Sequence, residues 1–286
     1  MILADRDPPL GIAHFTVIDV PPTELVGLAA RIGYRHIGLR LHPAFPGAPF
    51  YEIPSGSGAM GEMKRRLAGE GVAVHDIEFV TVDAGFVPDR LAPMLESARE
   101  LGAERLSVCG GDPDRSRLIA SFAGLCDLAA GFGMGVDLEC MAWRQVASSP
   151  DAVRVVEAAG KPNGGVLVDA LHLSRTGGSP LDLRDVPAAL ARSAQLCDVI
   201  AERPGSTDAI IQEARSGRLA PGEGALPLHD LLAEPPDDAT IGVEVPMDGT
   251  MPPETHARRV FEATQKLLGD FRRHKPRTRP TGESDR

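Results

Sequence analysis

Four residues whose side-chain oxygen atoms can bind a divalent metal stand at the ends of strand-like segments. Carboxylate and amide oxygens are the ligands that hard cations prefer. In a barrel of parallel strands, the carboxyl ends of all the strands meet at one mouth. The pattern therefore predicts a metal site at such a mouth, built from Glu139 in GVDLE, Asp169 in GVLVD, Gln195 in SAQLCD and Glu244 in IGVEV.

The segments that must position these residues alternate between strand-like and helix-like patterns. Short runs rich in β-branched residues recur in eight strand and helix units. Such alternation implies parallel strands joined by right-handed crossovers, and eight units close naturally into a barrel. We predict an α/β fold, a single-domain (β/α)8 TIM barrel over residues 1–270. A doubly wound sheet is disfavoured because no GxGxxG follows the first strand.

Two long connections and a tail interrupt the regular alternation. Residues 42–58 are rich in proline and glycine, and residues 201–224 contain a predicted short helix from Thr207 to Ser216. Both connections follow strand C-termini, so they are expected on the active-site face as lids, with packed insertions as the alternative. Residues 271–286 are basic and have few apolar residues, which predicts a disordered tail.

Composition narrows the class of protein. The chain has 286 residues, 43% of them hydrophobic, and a formal net charge of -10. This is enough apolar material for one large core, and the acidic balance disfavours nucleic acid as a partner. The sequence has no apolar run of membrane-spanning length and no signal-like N-terminal segment. We therefore expect no membrane partner and a cytoplasmic location.

The order of these motifs resembles the xylose isomerase-like TIM barrel superfamily over roughly residues 11–268. Asp169 and His172 in VDALH match its D-x-x-H after strand six, Glu139 follows strand five, and PGEGALPL leads into Glu244. That superfamily includes sugar isomerases, ketose 3-epimerases, inosose dehydratases, 3-dehydroshikimate dehydratases and endonucleases. The resemblance implies one divalent cation, Mn²⁺ or Mg²⁺, held by Glu139, Asp169, the strand-seven residue and Glu244. It also implies a homo-oligomer.

The strand-seven position departs from the commonest pattern of the superfamily. Most isomerases and epimerases have a histidine there, whereas this chain has Gln195. A strand-seven glutamine resembles the 3-dehydroshikimate dehydratase branch, and so does the E-x-x-A-W pattern from Glu139 to Trp143. Ligands restricted to oxygen favour Mg²⁺ or Mn²⁺ over zinc, which prefers nitrogen and sulfur.

A divalent ion at this mouth would serve chemistry beside a carbonyl group. Chelated by a carbonyl and its neighbouring hydroxyl, it would polarise the carbonyl and stabilise the enediolate left by the α proton. The resemblance implies that Glu139 and Glu244 also act as acid/base groups on opposite faces. His172 would bond a substrate oxygen or protonate a leaving hydroxyl.

We therefore predict a metal-dependent sugar isomerase or epimerase acting on a small polyhydroxylated carbonyl compound. The close alternative is a 3-dehydroshikimate dehydratase-like lyase that eliminates water. The alternative from another class is a barrel that binds a sugar without turning it over.

Five further residues fall where a side chain could reach the mouth and contact the substrate. Arg40 ends strand two, where a cation could hold a carboxylate or hydroxyl of the substrate or form a structural ion pair. Trp143 could wall the pocket or pack within its loop. The other candidates, each with a structural role as the alternative, are His14 on strand one, Glu78 on strand three and Arg175 just after His172.

Overall fold

Eight short parallel strands pair in chain order and close into a ring. The computed structural model describes residues 9–236 and 238–274. β8 pairs with β1 in the register Gly11 to Gly242, which completes the barrel. The predicted (β/α)8 barrel is thereby confirmed. Its strands are β1 (Leu10–Ile12), β2 (His36–Leu39), β3 (Ala73–Val82), β4 (Arg105–Gly110), β5 (Gly135–Glu139), β6 (Gly164–Asp169), β7 (Ala191–Leu196) and β8 (Thr240–Val243).

Helices connect most successive strands and cover the outside of the barrel. Several begin at a side-chain cap, as in α5, where the Ser148 hydroxyl oxygen accepts a hydrogen bond from the Asp151 N–H. α2 ends at Gly71, whose φ of 64° favours glycine. The helices are α1 (Pro22–Ile32), α2 (Gly58–Glu70), α3 (Ala92–Glu100), α4 (Arg115–Ala130), α5 (Ser149–Ala159), α6 (Ala170–Arg175), α7 (Thr207–Ser216), α8 (Leu228–Ala233) and α9 (Pro253–His274).

The two faces of each strand have different environments, as β5 illustrates. Val136 and Leu138 are fully buried in the apolar core. The alternating residues Asp137 and Glu139 project to the other face, because successive side chains of a strand point in opposite directions. The Asp137 carboxylate accepts a hydrogen bond from Ser193 on β7, two strands away. The inside of the barrel is therefore polar at these positions, and Glu139 at the strand end faces its mouth.

One aspartate fixes the long connection after β7. The Asp198 carboxylate accepts hydrogen bonds from the backbone N–H groups of Val199, Gly222 and Leu226, at 2.9, 3.0 and 2.9 Å. α7 lies within this connection with the predicted bounds. Residue 218, just after α7, returns to the barrel mouth and contacts Asp169 and Glu244. The connection thus adds to the mouth, as the sequence predicted for a segment on this face.

Two details differ from the sequence expectations. β1 ends at Ile12, and His14 opens a 3-10 helix, His14–Val17, instead of lying on the strand. The Glu78 carboxylate accepts the His14 N–H at 2.5 Å, which stabilises this turn. At the other end, α9 continues through His274, so residues 271–274 of the predicted tail are helical. The rest of that tail lies outside the described residues.

Within the residues that the structure describes, no helix combines the length and the apolar character needed to cross a bilayer.

Candidate metal centre

Three buried residues from β5, β6 and the start of α6 bring possible metal-ligand atoms together. One atom from each of Glu139, Asp169 and His172 lies within 4.8 Å of the other two. Asp169 ends β6 and caps α6, because its Oδ1 accepts the His172 N–H at 2.9 Å. This cap fixes His172 beside the strand end. The D-x-x-H spacing thus has a local structural cause.

Glu139 has the least satisfied carboxylate of the group. The residue is only 5% exposed. Its Oε1 has no hydrogen-bond partner among the described residues, and His172 Nε2 lies 3.8 Å from it. Burial raises the pKa of Glu139 well above its usual value, and the nearby Asp169 and Glu244 carboxylates raise it further. A cation would relieve both the missing partner and the repulsion, so the residues present fit a divalent metal.

Glu244 and Asp169 share a buried arginine that sequence reasoning missed. Arg218 Nη2 lies 2.9 Å from Glu244 Oε2, and Arg218 Nη1 lies 2.6 Å from Asp169 Oδ2. Burial raises the pKa of Glu244 to about 7 although Arg218 opposes the shift. Burial would also raise the pKa of Asp169, but Arg218 and His172 hold it below its usual value. Arg218 is therefore a permanent cation in direct contact with two of the three predicted carboxylate ligands.

Gln195, the predicted strand-seven ligand, lies beside Asp169 in the barrel register. It pairs with Asp169 of β6 on one side and with Gly242 of β8 on the other. Gln195 is 7% exposed and lines a cavity of about 30 Å³ that also contacts His75 and Asp76. No hydrogen bond joins its amide to another described residue. This cavity shares no lining residue with the pocket of Glu139, His172 and Glu244, so metal ligation by Gln195 stays a prediction.

His172 is a neutral imidazole packed against the tryptophan. Burial lowers its pKa to about 4, so the ring is uncharged near pH 7. Its centroid lies 5.1 Å from that of Trp143 in an edge-to-face arrangement, and its buried Nδ1 has no partner among the described residues. His172 can thus exchange a proton or a hydrogen bond with a ligand in the pocket.

The pocket at the mouth combines arginines with aromatic rings. Its volume is about 70 Å³, and Glu139, His172 and Glu244 form part of its wall. Two of the predicted substrate contacts, Arg40 and Trp143, also line it. The other charged or aromatic lining residues are Phe15, Phe45, Phe79, Arg144, Arg215 and Arg218.

Two arginines of this pocket carry charge that the protein only weakly neutralises. Arg40 Nη2 is 3.5 Å from Glu78 Oε2, and its guanidinium lies 4.5 Å from the centroid of the Phe15 ring. Arg144 has no carboxylate partner within the described part of the chain, and its contact with Thr81 measures 3.5 Å. The Nε atoms of Arg40 and Arg144 are buried without a partner. An anionic ligand would satisfy these groups.

The other three predicted substrate contacts make structural bonds. His14 Nε2 pairs with the Val20 carbonyl at 2.9 Å, and His14 Nδ1 accepts the Arg40 N–H at 3.1 Å, so both ring nitrogens are occupied. Glu78 accepts N–H bonds from His14 and from the next residue. Arg175 holds Glu213 of α7 with two bonds of 2.7 Å. Substrate contact by these three residues stays a prediction that this geometry does not favour.

Arg218 and Arg144 are the functional candidates that the sequence did not reveal. Arg218 follows α7 and lies 49 positions from Asp169 in the chain, so no local motif joins the two. Arg144 directly follows Trp143, and this position next to the E-x-x-A-W pattern was the one sequence signal that could have indicated a place in the pocket.

A parallel barrel with buried carboxylates at the ends of its strands is the architecture of a known family. The chain belongs to the xylose isomerase-like TIM barrel family, whose sequence model matches residues 26–267. Two curated relatives are 3-dehydroshikimate dehydratases. That of Pseudomonas putida is 25% identical over 190 residues, covering 62% of this chain and 29% of that protein. That of Pseudomonas aeruginosa is 28% identical over 160 residues, covering 51% and 24%. Each match thus spans less than a third of the relative.

Solved structures share the fold over almost the whole chain. A xylose isomerase-like TIM barrel/4-hydroxyphenylpyruvate dioxygenase fusion protein gives a TM-score of 0.74 at 20% identity, covering 93% of this chain and 44% of that one. The IOLI protein with a bound zinc atom gives 0.71 at 16% identity, with coverages of 92% and 97%. D-psicose 3-epimerase from Clostridium cellulolyticum gives 0.70 at 13% identity, with coverages of 91% and 99%. These identities show the fold alone.

Proposed function

We propose that this protein is a divalent-metal-dependent lyase that removes water from a small hydroxyketone bearing a carboxylate. The observation that carries the proposal is the meeting of two features in one pocket. Glu139 and His172, both in the candidate metal group, share its wall with Arg40 and Arg144. The first feature suits enolisation beside a carbonyl, and the second suits an anionic substrate. Because the curated relatives are 3-dehydroshikimate dehydratases, 3-dehydroshikimate is the first substrate to test.

The residues of the mouth have separate parts in this proposal. Glu139, Asp169, Gln195 and Glu244 would hold the cation, which when bound would polarise the substrate carbonyl. Glu244, with a pKa near 7, takes the proton from the carbon next to the carbonyl. His172 donates a hydrogen bond to the departing hydroxyl. The proton that Glu244 took up passes to this hydroxyl, which leaves as water, and the electron pair of the broken C–H bond forms the new double bond.

The arginines orient the substrate. Arg144 and Arg40 hold the carboxylate through donors that have no partner within the described protein, including the two buried Nε atoms. Trp143 lies along the pocket wall and against the edge of His172. A cyclic substrate carrying one carboxylate therefore suits this pocket better than a neutral open-chain sugar.

The test is turnover of 3-dehydroshikimate by the Mn²⁺-loaded or Mg²⁺-loaded protein, followed by ultraviolet absorbance of the aromatic product. We expect activity in the wild type and, because Glu244 is proposed as base and ligand, a loss of about 10³-fold in Glu244→Gln. Circular dichroism checks the fold of the variant. The matched control is Glu223→Gln on the surface, where Glu223 pairs with Arg259. Full activity of Glu244→Gln would overturn the site assignment.

A metal-dependent isomerase or epimerase is the second candidate, and one observation favours it. Glu139 ends β5 and Glu244 follows β8, so two buried carboxylates approach the mouth from separate strands of the ring, as proton transfer on two faces requires. Incubation of the metal-loaded protein with a panel of ketoses in D₂O distinguishes this reaction. Deuterium at the carbon next to the carbonyl would favour the epimerase, and aromatic product would favour the lyase.

A barrel that binds a sugar without turnover is the competing class. Metal content separates it from either enzyme. Protein that takes up no Mn²⁺ in equilibrium dialysis and still binds a sugar would favour the binding barrel over the lyase.

A further inference from the structure

Arg218 is bonded to two of the residues that are proposed to hold the metal. Its Nη1 contacts Asp169 Oδ2 at 2.6 Å and its Nη2 contacts Glu244 Oε2 at 2.9 Å. The side chain is 2% exposed. The same guanidinium lies 3.4 Å from His172 Nε2. Arg218 therefore occupies the space between the carboxylates and does not lie at the rim.

We infer that Arg218 is a built-in counter-ion that competes with the divalent cation for Asp169 and Glu244, so that metal binding displaces it from at least one carboxylate. The inference rests on the proposed function, since it concerns the same metal site. It adds a role for a residue that no ligand pattern in the sequence includes.

The bonds of Asp169 show why competition is expected. Its Oδ1 accepts the His172 N–H and its Oδ2 accepts Arg218, so both oxygens have a donor. A guanidinium and a dication on one carboxylate oxygen repel each other strongly in a buried site. By contrast, Glu139 Oε1 has no partner among the described residues. A cation can bind Glu139 without displacing a donor, whereas at Asp169 Oδ2 and at Glu244 Oε2 it meets Arg218.

The charges of the mouth fit the same inference. Asp169 and Glu244 share the single positive charge of Arg218, and Glu139 Oε1 has no hydrogen-bond partner among the described residues. The carboxylates grouped around Arg218 therefore carry more charge than this arginine can neutralise, which favours a divalent cation beside them. Removing Arg218 would leave three buried carboxylates to the ion alone, which strengthens the attraction for the ion and destabilises the protein without it.

Arg218 is anchored in a segment that can transmit its displacement. Its Nε donates to the Ala214 carbonyl of α7 at 3.0 Å. Ala214, Arg215 and Arg218 all line the pocket beside Glu139. Release of Nη2 from Glu244 would therefore free a donor next to the substrate position, while Nε stays bonded to α7.

The test is Mn²⁺ binding to the metal-stripped full-length chain, measured by calorimetry and by the electron paramagnetic resonance of free Mn²⁺. We expect Arg218→Met to bind Mn²⁺ about tenfold more tightly than the wild type, because a buried competing charge has been removed. Arg218→Lys, which keeps the charge but loses the two-armed geometry, should fall between them.

The matched control is Arg105→Met, which breaks another arginine–aspartate pair, with side chains 16% and 2% exposed. Arg105 pairs with Asp137 and with none of the four proposed ligands, so its loss should leave Mn²⁺ affinity within about twofold of the wild type while lowering stability. Tighter binding in both variants would overturn the inference, because it would reflect general loosening of the barrel.

A second measurement covers the case in which Arg218→Met does not fold. In wild-type protein labelled with ¹⁵N-arginine, guanidinium groups held by carboxylates give slowed-rotation NMR signals. The Arg218 signal, assigned with Arg218→Lys, should shift or broaden on titration with Mg²⁺, and the Arg105 signal should not.

The outcomes separate this inference from the proposed function. Mn²⁺ binding by the wild type, with equal or weaker affinity in folded Arg218→Met and no change of the Arg218 signal, overturns the competition and leaves the metal site standing. Absence of Mn²⁺ binding in the wild type and in both Arg218 variants overturns the metal site itself. Binding by Arg218→Met alone supports the competition in its strongest form.

Discussion

Asp137 and Glu139 are two buried carboxylates on the same face of β5, and their surroundings differ. The two oxygens of Asp137 are bonded by Arg105, and Ser193 donates to Oδ2 at 3.0 Å. Glu139, one strand repeat nearer the mouth, keeps an oxygen without a partner among the described residues. The barrel thus satisfies both oxygens of the inner carboxylate and leaves one oxygen of the outer carboxylate unpaired. Burial alone does not distinguish the two residues, whereas the unpaired oxygen does, and it is the reason for proposing Glu139 as a ligand.

Neutralising Glu139 should have the largest effect of the substitutions on β5. We expect Glu139→Gln to lower kcat/KM by about 10³-fold, because it removes a proposed metal ligand. Stability of the metal-free protein should not fall, since the change also removes a buried charge that repels Asp169 and Glu244. Steady-state kinetics and urea unfolding check both parts, and a variant with normal turnover would contradict the assignment.

The opposite pattern is expected for the inner carboxylate. Asp137→Asn should lower the free energy of unfolding by about 3 kcal/mol, because Arg105 is left without its anionic partner inside the barrel. Mn²⁺ affinity of the folded fraction should be unchanged. Urea unfolding and calorimetry test this pair of results. A large loss of Mn²⁺ affinity with normal stability would show that the two carboxylates do not differ as described.

The pKa of Glu244 makes both the stability of the protein and its affinity for Mn²⁺ depend on pH. The pKa of Glu244 rises from 4.5 to about 7 on folding, so the folded metal-free protein binds this proton more tightly than the unfolded chain. Its stabilising effect is complete below about pH 4.5 and is lost as the pH rises to about 7. Protons compete with the cation in the same window, so Mn²⁺ affinity should fall about tenfold per unit below pH 7.

Calorimetric titrations at several pH values, with Glu244→Gln as the control, measure this proton competition. If the Mn²⁺ affinity of the variant falls equally steeply with decreasing pH, the competing proton belongs to another group.

The smallest expected effect comes from the neutral partner of Asp137. Ser193→Ala removes the hydroxyl that bonds Asp137 Oδ2 and His75 Nε2 and should cost about 1 to 2 kcal/mol, because Arg105 still holds both oxygens of the carboxylate. Thermal or urea unfolding measures the loss. Ser193→Thr, which keeps the hydroxyl, is the matched control. A loss as large as that of Asp137→Asn would mean that Ser193, and not Arg105, secures the carboxylate.

The sequence predicted those parts of the site that depend on strand ends. The barrel followed from its repeated units, and Glu139 and Asp169 could be placed because the last residues of parallel strands share one mouth. Arg218 could not be placed, since its position depends on the path of the connection after β7. His14 was wrongly put on β1, because a β-branched run does not reveal the turn that Glu78 stabilises.

Asp198 holds the two ends of the connection after β7 together, which allows the segment between them to vary in evolution. Because one carboxylate bonds residues 199, 222 and 226, the two ends of the segment remain joined whatever lies between them. The entropy of closing a loop grows only slowly with its length. The intervening stretch can thus change in length while these three bonds keep its ends together. Since Arg215 and Arg218 lie within it, an exchange of this stretch would change the charge of the pocket in one evolutionary step.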